Sequence, residues 1–342
     1  MLSRTAEPLS SWTTLHLGGP ARTFVEVTNR AELYDTVREL DARGEPVLVL
    51  GGGSNVVVAE AGFGGTVVRV GTRGVDVSVD ACGGVGITVE AGEDWDALVT
   101  RTVQEEWIGV ETLAGIPGTV GAVPIQNVGA YGQEVSDIIA SVHVYDRTER
   151  RTRTFFAADC HFGYRTSVFK QTPGRYVVGS VTFQFRPGSL AAPIRYAELA
   201  RALGVEVGQR APSTDVRAAV LGLRTGKGMV IDESDHDTWS VGSFFTNPLV
   251  QRSDLPLAAP AWDQPDGRVK TSAAWLIERA GFTRGYGNER TRLSSKHPLA
   301  LTNRGTASTA DLLALAREVR DGVRDRFDIE LHPEPVLVCC SL

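Results

Sequence analysis

Hydrophobic positions along the chain change period several times, and each change marks an element. Residues 22–28 (RTFVEVT) alternate apolar and polar side chains, the period of two of a half-buried strand. Over 31–43 (AELYDTVRELDAR) the apolar positions Leu33, Val37 and Leu40 fall three or four apart, which predicts a helix with one buried face, closed by Gly44. The apolar run PVLVL (46–50) predicts a buried strand, and further strands are predicted at 66–70 and 85–91. A helix is predicted over 94–106, with Asp94 as N-cap and Leu98 and Val99 facing inward. From 138 to 185 the pattern is mostly that of strands (IIASVHVYD, RRTRTFF, YVVGSVTFQF), ending at a hinge-like RPGSLAAP (186–193). Helical periodicity returns at 213–222, 271–280 and 309–326; the last places Leu312, Leu315, Val319 and Val323 on one face. An apolar strand, PVLVCC (335–340), follows, and Trp95 and Trp275 fall on predicted helices as core residues. No internal repeat is visible, and the mixture predicts an α+β or α/β chain.

Composition narrows the class. With 342 residues, 42% of them hydrophobic, the chain is long enough for two or three domains with cores of their own. A net charge of −6 argues against a general nucleic-acid binder. No apolar run reaches the ~18–20 residues that span a bilayer, and the N-terminal segment has no apolar signal core, so a cytoplasmic protein without membrane attachment is expected. The cysteines (Cys82, Cys160, Cys339, Cys340) form no CxxC motif and are expected to be reduced, buried thiols. The six histidines are scattered, so no metal site is expected. Glycine is the anomaly: 19 of the 37 lie between residues 44 and 132, interleaved with Val and Ile, which points to tight turns or close backbone approach.

Neither standard phosphate-binding motif is complete in this chain. Gly51-Gly52-Gly53-Ser54-Asn55 follows a strand as a dinucleotide-binding turn would, but the third glycine of that fingerprint is replaced by Val56 and a β-branched run follows instead of a helix. GLRTGK (222–227) has three residues between its glycines where a P-loop has four, and Gly228 stands in place of Ser or Thr. GGGSN then reads either as an anion nest of backbone N–H groups or as a hairpin without a ligand. A second glycine-rich stretch, 115–132, favours two close-approach loops around an elongated dinucleotide cofactor.

The blocks GGGSNVVV, GIPGTVGAVPIQNVGAYG, CHFGYRTSVFK, GSFFTNP and the terminal HPEP occur in order between about residues 10 and 338. Together they resemble the UDP-N-acetylenolpyruvoylglucosamine reductases, the MurB family of peptidoglycan precursor synthesis. The resemblance implies an α+β fold: a two-lobed FAD-binding region of the vanillyl-alcohol oxidase/p-cresol methylhydroxylase type plus a C-terminal α+β substrate domain. The expected division is 1–72 for lobe 1, joined by the C-terminal strand 332–342, then 73–222 for lobe 2 and 223–331 for the UDP-sugar domain. It also implies FAD as cofactor, NADPH as reductant and a small-molecule UDP-sugar as substrate; no sequence feature sets the oligomeric state, and a monomer is expected.

The reaction so implied moves a hydride from reduced flavin to the β-carbon of an enolpyruvyl group and a proton to its α-carbon. Arg165, in FGYRTSVFK, is the expected stabiliser of the enolate-like charge, because a guanidinium grips a carboxylate through two donors. Ser243 matches the family's proton donor and Glu334, in HPEP, its acidic partner. FAD contacts are expected from Gly51, Gly52, Gly53, Ser54, Asn55 and Val56 in the first loop. In the second they are expected from Ile116, Pro117, Gly118, Gly121, Ala122, Gln126, Asn127, Gly129, Ala130, Tyr131 and Gly132. Substrate contacts are expected from Tyr164, Tyr196, Lys227, Asn247, Lys270 and His297; Tyr196, in PIRYAEL, matches the tyrosine-loop type of the family. Two departures stand out: His332 occupies a position that is usually acidic, and NERTR (288–292) lacks the expected glycines. The competing readings are another flavin oxidoreductase of this fold, which a covalent flavin attachment at a His or Cys would favour, and a UDP-sugar binder without catalysis.

Overall fold

Strand alternation and helix capping account for most of the elements in the computed structural model, which describes residues 2–80 and 84–342. The chain divides into two units. The first comprises residues 1–7, 21–52 and 64–225; the second comprises 8–20, 53–63 and 226–342.

The first unit holds two larger sheets and a two-stranded one, Gly129–Ala130 with Gln133–Glu134. One has four strands in the order Leu2–Pro8, Pro20–Val27, Phe63–Val70, Val47–Leu50, the last pair parallel. The other orders Arg151–Phe156, Ile139–Asp146, Tyr176–Pro187, Gly84–Glu90 and Val75–Asp80, all antiparallel. Along Gly84–Glu90 the residues Val85, Ile87 and Val89 are buried in strict alternation. The helix Arg30–Ala42 starts at Asn29, whose side chain accepts the Glu32 N–H, and buries Leu33, Tyr34, Val37 and Leu40. The helix Trp95–Gln104 is capped by Asp94 as expected. Trp95 is fully buried and its indole N–H donates to the Leu113 carbonyl, so the burial leaves no donor stranded.

In the second unit, Thr309–Phe327 is the longest helix, and a reciprocal Ser308–Asp311 capping box fixes its start. Leu312, Leu315, Val319 and Val323 are all buried, packed with Phe244, Phe245, Leu276, Ile277 and Val57. The strand Val336–Val338 pairs in parallel with Val56–Val58, a contact 280 residues apart in sequence that no local pattern announces.

Several expectations are corrected. RPGSLAAP is not a free hinge: Pro187 ends a twelve-residue strand, and Ser189 and Ala191 are tied by backbone hydrogen bonds to Ser213 and Ala211. The strands Leu2–Pro8 and Val75–Asp80 and the helix Ala197–Leu203 lay outside the predicted elements. Cys160 is buried, and burial pushes its thiol up to about 12. Cys339 is exposed and Cys340 half-buried, against the expectation of uniformly buried thiols; Cys82 lies outside the described residues. Trp275 is half-buried against Phe327 rather than enclosed. No helix among the described residues is long and apolar enough to cross a membrane.

Candidate active site

In the first unit the glycine-rich stretches meet. A Cβ placed on Gly52 would lie 2.6 Å from the Gly118 Cα, and one on Gly51 would lie 2.7 Å from the Thr119 hydroxyl. Gly121 backs onto Ala91, whose carbonyl accepts its N–H at 2.8 Å. The glycines are therefore first a condition for the chain to cross itself, and a cradle only as a consequence. The boundary between the two units falls inside GGGSN. In the second unit Gly53 has φ +67° and lies against the Trp12 carbonyl, while the Asn55 carbonyl accepts the Val336 N–H.

The turn 127–134 is braced from below. Gln133 donates to the buried Glu111 carboxylate at 3.1 Å and accepts from the Thr112 hydroxyl at 2.6 Å. Asn127, buried with φ +46°, donates to Glu134 and to the Gly163 carbonyl and accepts the Ser136 N–H. Its side chain is occupied in holding the loop, so a cofactor contact from this residue would come from its backbone. Tyr131 and Arg165 also have left-handed backbones, with φ +48° and +53°. Three such non-glycine residues among the candidate positions mark a loop system held in an unfavourable conformation by its surroundings.

Arg165 sits with Tyr164 at the tip of a two-residue hairpin closed by reciprocal Gly163–Thr166 backbone bonds. Ser167 anchors that hairpin, donating to the Ile125 carbonyl at 2.5 Å and accepting the Phe169 and Lys170 N–H groups. The Arg165 guanidinium donates to the Gly129 carbonyl at 2.7 Å and stacks over Tyr164. A Cβ at Gly129 would lie 2.9 Å from the Gln133 carbonyl oxygen and 3.3 Å from that guanidinium, so the turn and the arginine together leave room only for glycine. Tyr196 is 52% exposed and meets Tyr131 edge-on at 6.0 Å, and neighbouring Arg195 donates to the Gly132 carbonyl.

Arg224 was missed by the sequence reading, which saw only a failed P-loop around it. Its guanidinium donates to the Gly115 carbonyl, and burial lowers its pKa to about 10. A desolvated guanidinium beside the close-approach glycines forms a donor set that suits a diphosphate.

In the second unit, Ser243 and Glu334 are brought onto adjoining strands of chain. Glu334 N–H donates to the Phe244 carbonyl at 2.8 Å, Phe245 bridges Pro333, and Thr246 N–H donates to the His332 carbonyl. Phe244 and Phe245 are fully buried, which fixes the register of the segment and leaves Ser243 half-exposed at its edge. His332 is exposed and joins this arrangement through its backbone. Asn247 accepts the Ala273 N–H at the start of the helix Ala273–Arg279, and Lys270 lies on the adjoining strand Val269–Thr271. His297 lies in a turn where Ser294 accepts its N–H, and Lys227 directly follows the helix Ser213–Gly226. In the departing NERTR segment, Asn288 accepts the Arg290 and Thr291 N–H groups, so a side chain closes the turn in place of glycines.

Residues 21–154 match the family described as FAD binding domain, which together with the donor set above defines a flavin-dependent class of protein with an α+β fold. Residues 233–338 match the family described as UDP-N-acetylenolpyruvoylglucosamine reductase, C-terminal domain. The chain is 57% identical over 338 residues to the UDP-N-acetylenolpyruvoylglucosamine reductase of Cutibacterium acnes, covering 98% of this chain and 90% of that protein. It is 53% identical to that of Thermobifida fusca, covering 98% of each. The chain belongs to the UDP-N-acetylenolpyruvoylglucosamine reductase family. The crystal structure of the Thermus caldophilus enzyme shares the fold, with a TM-score of 0.67 and 24% identity over 98% of both chains.

Proposed function

We propose that this chain reduces the enolpyruvyl ether of UDP-N-acetylglucosamine to UDP-N-acetylmuramate, with FAD as cofactor and NADPH as reductant, in peptidoglycan precursor synthesis. Family membership over nearly the whole chain supports the reading. The observation that carries it is the Glu334–Phe244 backbone bond, which sets a carboxyl-bearing residue beside the hydroxyl-bearing Ser243 across 91 residues of sequence.

FAD, when bound, supplies the hydride that adds to the enolpyruvyl β-carbon. The electron pair left on the α-carbon is conjugated with the substrate carboxylate. Arg165 holds that carboxylate, its guanidinium fixed in direction by the Gly129 carbonyl and remaining charged throughout. Ser243 donates its hydroxyl proton to the α-carbon, and water restores the proton. Glu334 polarises the substrate carboxyl as the protonated acid, or relays a proton. Lys227 and Lys270 serve the pyrophosphate as point charges, with Tyr164, Tyr196, Asn247 and His297 as further substrate contacts. The GGGSN and 115–132 loops hold FAD. We assign 1–72 with 332–342 and 73–222 to the two FAD lobes and 223–331 to the UDP-sugar domain, in a cytoplasmic monomer.

The test separates the two half-reactions. Ser243→Ala is expected to leave flavin bleaching by NADPH intact and to slow reoxidation by the enolpyruvyl substrate roughly 10²–10⁴-fold, the usual range for a lost proton donor. Equal loss in both halves would contradict the role given to Ser243.

A further inference from the structure

One buried carboxylate in the second unit has no part in the chemistry above and yet is bonded to the turn that carries His297. Asp237 lies in the turn His236–Thr238 and is 6% exposed. Its carboxylate accepts the Ser295 N–H at 3.2 Å and the Ser295 hydroxyl, and pairs with Arg304 at 2.9 Å. Ser295 belongs to the turn 294–300, which buried Ser294 closes by accepting the Lys296 and His297 N–H groups. Lys296 reaches back to Asp235, so the same turn is held twice to the segment 235–237.

The far end of that turn reaches Phe244, the residue that follows Ser243. The Leu299 carbonyl accepts the Phe244 N–H at 2.8 Å, and the Phe244 carbonyl accepts the Glu334 N–H at 2.8 Å. Asp237 is thus linked by hydrogen bonds through one turn to the residue that follows Ser243, and from there to Glu334. Its backbone also adjoins Gly228, where a Cβ would come within 3.0 Å of the Asp237 carbonyl; Lys227 is the next residue back. A buried carboxylate is costly unless fully paired, and this one takes three contacts, two from Ser295 and one from Arg304.

We propose that Asp237 is a positioning residue: it clamps the 294–300 turn and thereby sets the position of Ser243 relative to Glu334. The proposal rests on the role given to Ser243 above. Catalytic groups lose efficiency steeply when displaced by an ångström, so a clamp acting on the turn is felt at the hydroxyl.

The test uses the FAD-loaded enzyme with Asp237→Asn, which removes the charge, and Ser295→Ala, which leaves the Arg304 pair in place. Flavin reduction by NADPH should change less than about twofold, while reoxidation by the enolpyruvyl substrate slows by ~10-fold or more in Asp237→Asn, and less in Ser295→Ala. Combined with Ser243→Ala, Asp237→Asn should add no further slowing, because the clamp acts through that hydroxyl. Amide hydrogen exchange gives a readout independent of turnover: Asp237→Asn should lose protection at 295–297 and at Phe244 while the helix Thr309–Phe327 keeps it. Equal slowing of both half-reactions, additive effects with Ser243→Ala, or unchanged protection at Phe244 overturns the clamp. A wild-type enzyme that the enolpyruvyl substrate does not reoxidise overturns the proposed function instead, and the exchange data still judge the clamp.

Discussion

Gly52→Ala is the sharpest single perturbation of the glycine loops. The added Cβ would lie 2.6 Å from the Gly118 Cα and 3.1 Å from its carbonyl carbon. Both are backbone atoms and neither can rotate away. Restoring an ordinary carbon–carbon separation of about 3.6 Å requires the loops to part by about 1 Å. Overpacking of this kind costs about 1–3 kcal/mol. Gly118 cannot retreat freely, because its carbonyl accepts the Trp95 N–H and Trp95 is the largest fully buried side chain of the unit. The strain falls on the backbone that is proposed to cradle FAD. The variant is therefore expected to melt about 2–10 °C lower, and to be purified with less flavin than the parent protein. Absorbance at the flavin band relative to protein, an FAD titration and a thermal melt provide the measurements. Gly222→Ala is the control, an exposed helical glycine with nothing within 4 Å of its would-be Cβ. It should gain about 0.5–1 kcal/mol from helix propensity alone and retain its flavin. A Gly52→Ala protein with parental flavin content and melting temperature would refute the reasoning, since the contact would then not be needed.

Two further outcomes follow from the geometry. Arg165→Lys retains the charge but loses the planar fork that binds Gly129 and is proposed to hold the substrate carboxylate, and should slow reoxidation by the enolpyruvyl substrate by roughly 10²–10³-fold with flavin content unchanged; a loss below threefold would remove Arg165 from the mechanism. The His143 imidazole bonds the Tyr34 hydroxyl at 2.9 Å, and burial, aided by the Arg30 charge, holds it below the ordinary histidine value. Because the folded state resists protonation, this contribution to stability is complete above about pH 6.5 and is lost as pH falls through the depressed value. Thermal melts between pH 5 and 8 should therefore show a shallower acid decline in His143→Gln than in the parent; parallel curves would discard the assignment.

The legible part of this protein was local. Asp94 and the periodicity that ends in Val323 could be read directly, since a cap and a helix face depend on residues within a turn or two. Glycine density located the loops correctly but not what the glycines approach: Gly52 meets Gly118 and Gly53 meets Trp12, partners set by the path of the chain. Motif resemblance named Arg165, Ser243 and Glu334, yet spacing alone gave no reason for Glu334 to lie near Phe244. Arg224 escaped because a desolvated arginine and a surface arginine are identical in sequence.

By itself, then, the sequence determined most of the helices and strands, the glycine-rich loops and the family. Each is written in short-range pattern, where a residue's neighbours in the chain are also its neighbours in space. Tertiary structure alone decided that Val336–Val338 pairs with Val56–Val58, that Asn127 spends its side chain on its own loop, and that Asp237 grips Ser295. Those contacts join distant segments, and their energy comes from burial and from matching donors to acceptors once the cores have closed. The hydroxyl and carboxyl proposed to act on the substrate are held by contacts of this second kind.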